Sequence, residues 1–229
     1  PPLAQAVPEA GYIQAYPPGI RENGGQYSHA AVWALMACAA QGDAAWAWRL
    51  FEGLSPAHRS ADPARGARYG LEPYVVAGDI YSQPPYAGRG GWSWYTGAAS
   101  WLQRAALESI CGVQLHGSVL TASPCLPAHW PQAEVVLRRV IPGDEGERTI
   151  RVLMLRSEAR SRELSQAGAL SAQIVSLRSG QTVDLDRLPE GALVVVLIDA
   201  GSPEPRAGRP ISAAGPGAPS AVSPQPSPG

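Results

Sequence analysis

The chain has 229 residues, 45% of them hydrophobic and only 16% charged, with a formal net charge of -1. That balance suits a globular protein with a sizeable core and argues against a polyanionic partner such as nucleic acid. All 18 basic residues are arginine; a composition bias that also enriches Ala, Gly and Pro explains this more simply than a dedicated anion site does.

In chain order, residues 1–10 (PPLAQAVPEA) read as a tail or incoming linker, and 11–27 as an irregular loop punctuated by Pro-Pro-Gly and Asn-Gly-Gly. The pattern turns helical from Ser28 to Ala40, with Val32, Leu35, Met36 and Ala39 at spacings of three and four. Gly42 ends that helix, and Asp43 caps a second one, AAWAWRLFEGL, to give a helical hairpin. Residues 55–72 read as a polar surface excursion, 73–81 as helix or extended chain, and 82–95 as a second Gly/Pro/aromatic loop. Thr96 to Ile110 is predicted to be an amphipathic helix with Ala99, Leu102, Ala106 and Ile110 on one side, stopped by Gly112.

Beyond Pro131 the text becomes strand-like: Val135–Leu137, residues 148–156, 172–177 and 192–199, separated by turn residues. Between them SEARSRELSQAGALSAQ (157–173) reads as helix or long loop, and 201–229 as a disordered Pro/Gly/Ser tail. The predicted fold is mixed and mainly α. A helical unit over 11–131 precedes a β-rich unit over 132–200. Cys38, Cys111 and Cys125 have neither CxxC nor metal-type spacing. Free thiols and no metal are expected, with Cys38 buried, which fits a reducing compartment. No apolar run is long enough to span a membrane. The chain starts Pro-Pro rather than with Met, which suggests a piece of a longer protein.

Two blocks carry chemistry. The first runs from Tyr12 to His29 and holds Tyr16, Arg21, Glu22 and Asn23 in a Gly-rich loop that enters a helix. Aromatic faces interleaved with hydrogen-bonding groups suit a sugar ring, and a helix start suits an anion. A capped loop with Arg21–Glu22 as a surface pair and His29 as a core histidine accounts for the same residues. The second block, Tyr81 to Gly97, is another aromatic Gly-rich loop leading into a helix. There Thr96 and Gly97 offer a hydroxyl and unpaired N–H groups to an anion, or serve as an ordinary cap and packing residue. GRGG lacks the Lys and spacing of a nucleotide-binding loop.

Together, YPPGIRENGGQYSHAAVWA and EPYVVAGDIYSQPPYAGRGGWSWYTGAASWLQRAALE resemble glycoside hydrolase family 94, the inverting carbohydrate phosphorylases. The wording EPYVVAGDIYS is similar to that of cyclic β-1,2-glucan synthases and β-1,2-oligoglucan phosphorylases. The resemblance covers roughly residues 11–131. It implies the last helices of an (α/α)6 barrel, followed by a small sandwich-like β extension. It further implies that His29, Thr96 and Gly97 bind the attacking phosphate, and that Tyr16, Arg21 and Glu22 line sugar subsites. Inorganic phosphate would be a co-substrate and no cofactor is needed. The general acid, an Asp, would lie upstream, so the partners are a β-glucan and the upstream half of the same barrel. The fragment alone would be inactive. Glu72 and Asp79 do not match the acid and read as structural. A cytoplasmic location is implied, or the cytoplasmic face of the inner membrane for a synthase. A hydrolase on the same fold and a non-catalytic glucan-binding module are the alternatives.

Overall fold

A computed structural model describes residues 2–94, 97–140, 146–157, 174–189 and 191–198. Among these, the helices are α1 (Ser28–Ala40), α2 (Ala44–Leu54), α3 (Pro56–Arg59), α4 (Pro63–Tyr69) and α5 (Ala98–Arg104), with a π-helical turn over Ala105–Ile110. The strands are β1 (Gln26–Tyr27), β2 (Asp79–Ile80), β3 (Gly90–Gly91), β4 (Val113–His116), β5 (Val119–Ala122), β6 (Gln132–Val140), β7 (Glu147–Leu155), β8 (Ile174–Arg178), β9 (Thr182–Asp184) and β10 (Leu193–Leu197). The fold is mixed, but helix and strand contribute comparably. "Mainly α" is therefore corrected, because two strands already lie within 113–122, upstream of the expected change at 131.

The helical hairpin forms as its sequence dictates. Val32, Leu35 and Ala39 of α1 are buried, and Gly42 takes φ 78° in the turn. The Asp43 carboxylate accepts the Trp46 N–H at 3.0 Å, closing the start of α2. Cys38 is a free thiol, half-buried rather than buried. Residues 55–72 are not a loose excursion. They form α3 and α4, with Asp62 capping α4 through the Arg65 N–H at 2.9 Å and Gly70 ending it at φ 69°. The polar composition concealed one anchor, Tyr69, which is 1% exposed. Its hydroxyl donates to the Val75 carbonyl at 2.6 Å and accepts the Ala77 N–H at 3.1 Å, fixing the chain that leads into β2. Tyr69→Phe orphans both backbone groups, so unfolding should become easier by about 1–3 kcal/mol, read from the denaturation midpoint.

In the helix after Gly97 the buried positions are Ala98, Leu102, Ala105 and Ile110, whereas Ala99 is exposed and Ala106 half-buried. Leu102 and Ile110 of the expected stripe are thus buried, whereas Ala98 and Ala105 take the places expected of Ala99 and Ala106. The step of five from Ala105 to Ile110 follows from the π-turn, which adds a residue to the repeat.

The β part comprises a three-stranded antiparallel sheet, β4-β5-β9, and a four-stranded sheet ordered β6-β7-β10-β8. β6 and β7 pair antiparallel over nine residue pairs, while β10 inserts between β7 and β8 and runs parallel to both. The unbroken apolar run Leu193–Val196 suits this central place, where both faces are covered. One core cluster unites Val32, Leu35 and Leu102 of the helices with Leu120, Ile150, Val152, Met154 and Val194 of both sheets. Leu155, Leu193 and Val195 form a second cluster on the opposite side of the larger sheet. Residues 123–131 are clamped from both sides. Arg156 donates to the carbonyls of Trp130 at 3.1 Å and Leu126 at 2.6 Å, and Trp48 packs on Trp130 with ring centroids 4.9 Å apart. The stretch 158–173 and the tail 201–229 lie outside the described residues. No helix among the described residues is long and apolar enough to cross a membrane.

Candidate functional site

The two loop blocks, far apart in sequence, are joined by the small antiparallel sheet β1-β2-β3. Tyr27 pairs with Asp79 and Gln26 with Ile80, and the other edge of β2 pairs with Gly90 and Gly91. Further bonds tighten the seam. The Ser28 N–H donates to Gly78 at 3.0 Å, the Ser82 N–H to Gly19 at 3.0 Å, and the Ser82 hydroxyl to Gly24 at 2.7 Å. Asn23, 2% exposed, knots the first loop from within. Its Nδ2 donates to the Tyr16 carbonyl and its Oδ1 accepts the Leu3 N–H, both at 2.5 Å. Gly25 leaves no room for a side chain, because a Cβ there would lie 2.8 Å from the Arg21 backbone.

Arg21 is the pivot. Its backbone has φ 47°, uncommon for a residue with a side chain, and its N–H donates to Asp79 Oδ2 at 2.7 Å. The guanidinium then lies 3.8 Å from the centroid of the Trp92 ring and 5.3 Å from that of Tyr16, whose hydroxyl it reaches at 3.2 Å. Tyr16 and Arg21 are therefore assembled, together with Trp92 from the second block. Glu22 is exposed and makes no hydrogen bond or ion pair with Arg21. The surface pair of these two therefore does not form. Asp79 holds Arg21 instead. Nothing in the sequence marks the link of Arg21 to Asp79, 58 residues away, or to the still more distant Trp92.

Asp79 is 1% exposed, and its Oδ1 is buried without a hydrogen bond. Burial pushes its carboxyl above the ordinary range, opposed by the Arg21 N–H and the Arg21 charge and reinforced by Glu22. The raised folded pKa means that protonation favours the folded state. Stability associated with Asp79 is full below the ordinary carboxylate pKa and is lost as pH rises through the raised value. Asp79→Asn keeps an acceptor for Arg21 and removes the charge. Relative to wild type it should gain stability as pH rises above the ordinary carboxylate range, measured as the shift in unfolding midpoint.

His29, the second residue of α1, is half-buried among aromatic rings. Trp33 lies 4.8 Å and Trp101 5.7 Å away, centroid to centroid, and His29 Nε2 has no hydrogen-bond partner among the described residues. Trp101 belongs to the first turn of α5, where its N–H donates to the Gly97 carbonyl at 3.1 Å. His29 of α1 thus packs on the tryptophan whose N–H bonds Gly97, the N-cap of that tryptophan's own helix. Gly97 is the exposed N-cap of α5, and a Cβ there would meet only Trp101 Cδ1, at 3.9 Å. Thr96 lies outside the described residues.

Comparison with known proteins now bears on this arrangement. Residues 1–112 match the family described as the glycosyl hydrolase 94 superfamily, catalytic domain. The chain is 52% identical over 131 residues to cyclic beta-(1,2)-glucan synthase NdvB of Rhizobium meliloti (strain 1021), covering 57% of this chain and 5% of that protein. It is 29% identical over 153 residues to solabiose phosphorylase of Paenibacillus borealis, covering 66% of this chain and 19% of that protein. It is likewise 29% identical over 142 residues to N,N'-diacetylchitobiose phosphorylase of Vibrio furnissii, covering 59% and 17%. The chain therefore spans a twentieth to a fifth of the length of these relatives. Both loop blocks lie inside the matched stretch, and residues 1–112 are thus similar to the catalytic domain of the glycosyl hydrolase 94 superfamily.

Proposed function

We infer that this chain is the phosphate-side, C-terminal portion of an (α/α)6 carbohydrate phosphorylase-type catalytic domain acting on a β-linked glucan. The β-1,2-glucan is the favoured substrate, because the relative at 52% identity is a synthase of that polymer. Residues 11–131 would complete the barrel and 132–200 would form its sandwich-like β extension. The observation that carries the reading is the β1-β2-β3 seam, which joins the loop holding Arg21 and leading to His29 with the loop holding Trp92 and leading to Gly97.

In phosphorolysis the phosphate itself attacks the anomeric carbon opposite the leaving oxygen. No second carboxylate is then needed to activate water. What the protein supplies on this side is a set of donors that hold an anion near a developing oxocarbenium ion. His29, Thr96 and Gly97 take that role, with inorganic phosphate as co-substrate. Tyr16, Arg21 and Glu22 face the sugar chain. The seam keeps the sugar-side and phosphate-side groups in fixed relation, and such positioning is worth several kcal/mol of barrier. The general acid is an upstream Asp, so this portion is inactive by itself.

The surface of α1 supports an upstream helical partner. Besides its buried positions it exposes Ala30, Trp33, Ala34 and Ala37, with Trp33 53% exposed. A helix apolar on all sides belongs inside a larger assembly, here the preceding barrel helices. The parent would act in the cytoplasm or at the cytoplasmic face of the inner membrane.

The discriminating experiment is phosphate withdrawal from the full-length protein supplied with β-1,2-glucan. Sugar release should stop without phosphate and return with it. Release that ignores phosphate would instead indicate a hydrolase on the same fold.

A further inference from the structure

Beside the Arg21–Trp92 stack lies a pocket of about 400 Å³ lined by Tyr81, Tyr86, Arg89, Trp92 and Ser93, with the Gly90–Gly91 backbone in its wall. That volume falls within the roughly 300–1,000 Å³ of small-molecule sites. None of these lining residues is among the phosphate and sugar positions named above except through Trp92, which the pocket shares with the stack.

The chemistry of the lining is specific. Tyr86 and Trp92 are 55% and 49% exposed, an unusual cost for two large aromatic rings in one loop. Trp92 and the nearby Trp94 hold left-handed backbone, at φ 55° and 62°, which bulky residues rarely adopt. The backbone there is bent against its preference and presents indole rings at the surface, the pattern of strain found at ligand sites. The Arg89 guanidinium lies 5.7 Å from the Tyr86 ring and makes no ion pair among the described residues, so its donors are not committed to a carboxylate. No carboxylate lines the pocket, so it is not built for a cation. Ring faces for the CH side of a pyranose, with tyrosine, serine and arginine groups for its hydroxyls, suit a neutral sugar. The glycine backbone in the wall permits close approach. A side chain at Gly91 would lie 2.6 Å from Asp79 Oδ1 and crowd Tyr81, so this wall stays bare.

We propose that this pocket is an additional sugar subsite, which binds a glucose unit further along the same glucan chain and makes the protein favour longer oligosaccharides. This rests on the glucan reading above. The continuity is Trp92, which Arg21 covers at 3.8 Å while it also lines the pocket, so a chain bound at Tyr16 and Arg21 would have this pocket as its neighbour.

The test uses the full-length protein with Tyr86→Ala and Arg89→Ala, both at exposed positions outside the proposed phosphate and sugar machinery. Calorimetric binding of β-1,2-linked oligosaccharides of about two to six glucose units is measured together with KM for each length. The longest should bind about five- to tenfold more weakly to Tyr86→Ala, with the disaccharide unchanged and kcat preserved. Tyr86→Phe, which keeps the ring, should restore most of the long-chain affinity. Excess inorganic phosphate should not displace the oligosaccharide from this subsite. Equal weakening at every length, or none, would overturn the proposal, as would competition by phosphate alone. Length-dependent binding without phosphorolysis would sustain the subsite while removing the proposed reaction. Phosphorolysis indifferent to length in both variants would do the reverse.

Discussion

Gly112→Ala should abolish stable folding of this region, or cost roughly 4 kcal/mol or more, which chemical denaturation or loss of soluble expression will show. Gly112 has φ 66°, and a Cβ there would run into the backbone of Ser123, with the Pro124 nitrogen 2.6 Å away. Neither obstacle is a flexible side chain that can turn aside. The same segment is bound by two backbone bonds, Ser123 N–H to Gly112 at 2.8 Å and Cys125 N–H to Ile110 at 2.9 Å. The helix end and the approach to the β sheets are therefore one piece, and relieving the clash would break the helix-to-sheet junction. Gly70→Ala provides the contrast. Its φ is 69°, yet nothing lies within 4 Å of its Cβ, so only the conformational cost of about 1 kcal/mol applies.

His29→Ala in the full-length protein should lower kcat/KM for phosphate about 100- to 1,000-fold, while binding of the glucan changes little. The imidazole is held between Trp33 and Trp101, so its position is set by packing rather than by a hydrogen bond to Nε2. On the proposed roles, its removal would take a donor from the anion and leave the Arg21–Trp92 stack in place. A His29→Ala variant that keeps wild-type phosphate kinetics would remove His29 from the site. A variant that loses glucan affinity instead would assign it to the sugar.

Much of the helical part was legible because its signals are local. Asp43 as a cap, Gly42 as a turn and Gly112 as a helix stop each act within a few residues, and each does so in the structure. Beyond Leu102 the sequence marks Ile110 as buried but not Ala105, since a π-turn changes the repeat without leaving a mark in composition. Tyr69 was hidden because its value lies in one hydroxyl meeting two backbone groups, within a segment that otherwise reads as surface. The parallel pairing of β10 with β7 and β8 was equally out of reach, for strand sequences reveal burial more readily than partners. For the candidate site, the loop blocks and Arg21 could be named from sequence. The buried Asp79 that seats Arg21 required the three-dimensional register of Tyr27 against Asp79.

The proposed role of these loops is to serve attack by phosphate on a glucan. Its most direct measurement is phosphorus NMR of the full-length protein incubated with β-1,2-glucan and inorganic phosphate. The result predicted is the resonance of α-glucose 1-phosphate growing as phosphate is consumed. Free glucose released with the phosphate signal unchanged would contradict it.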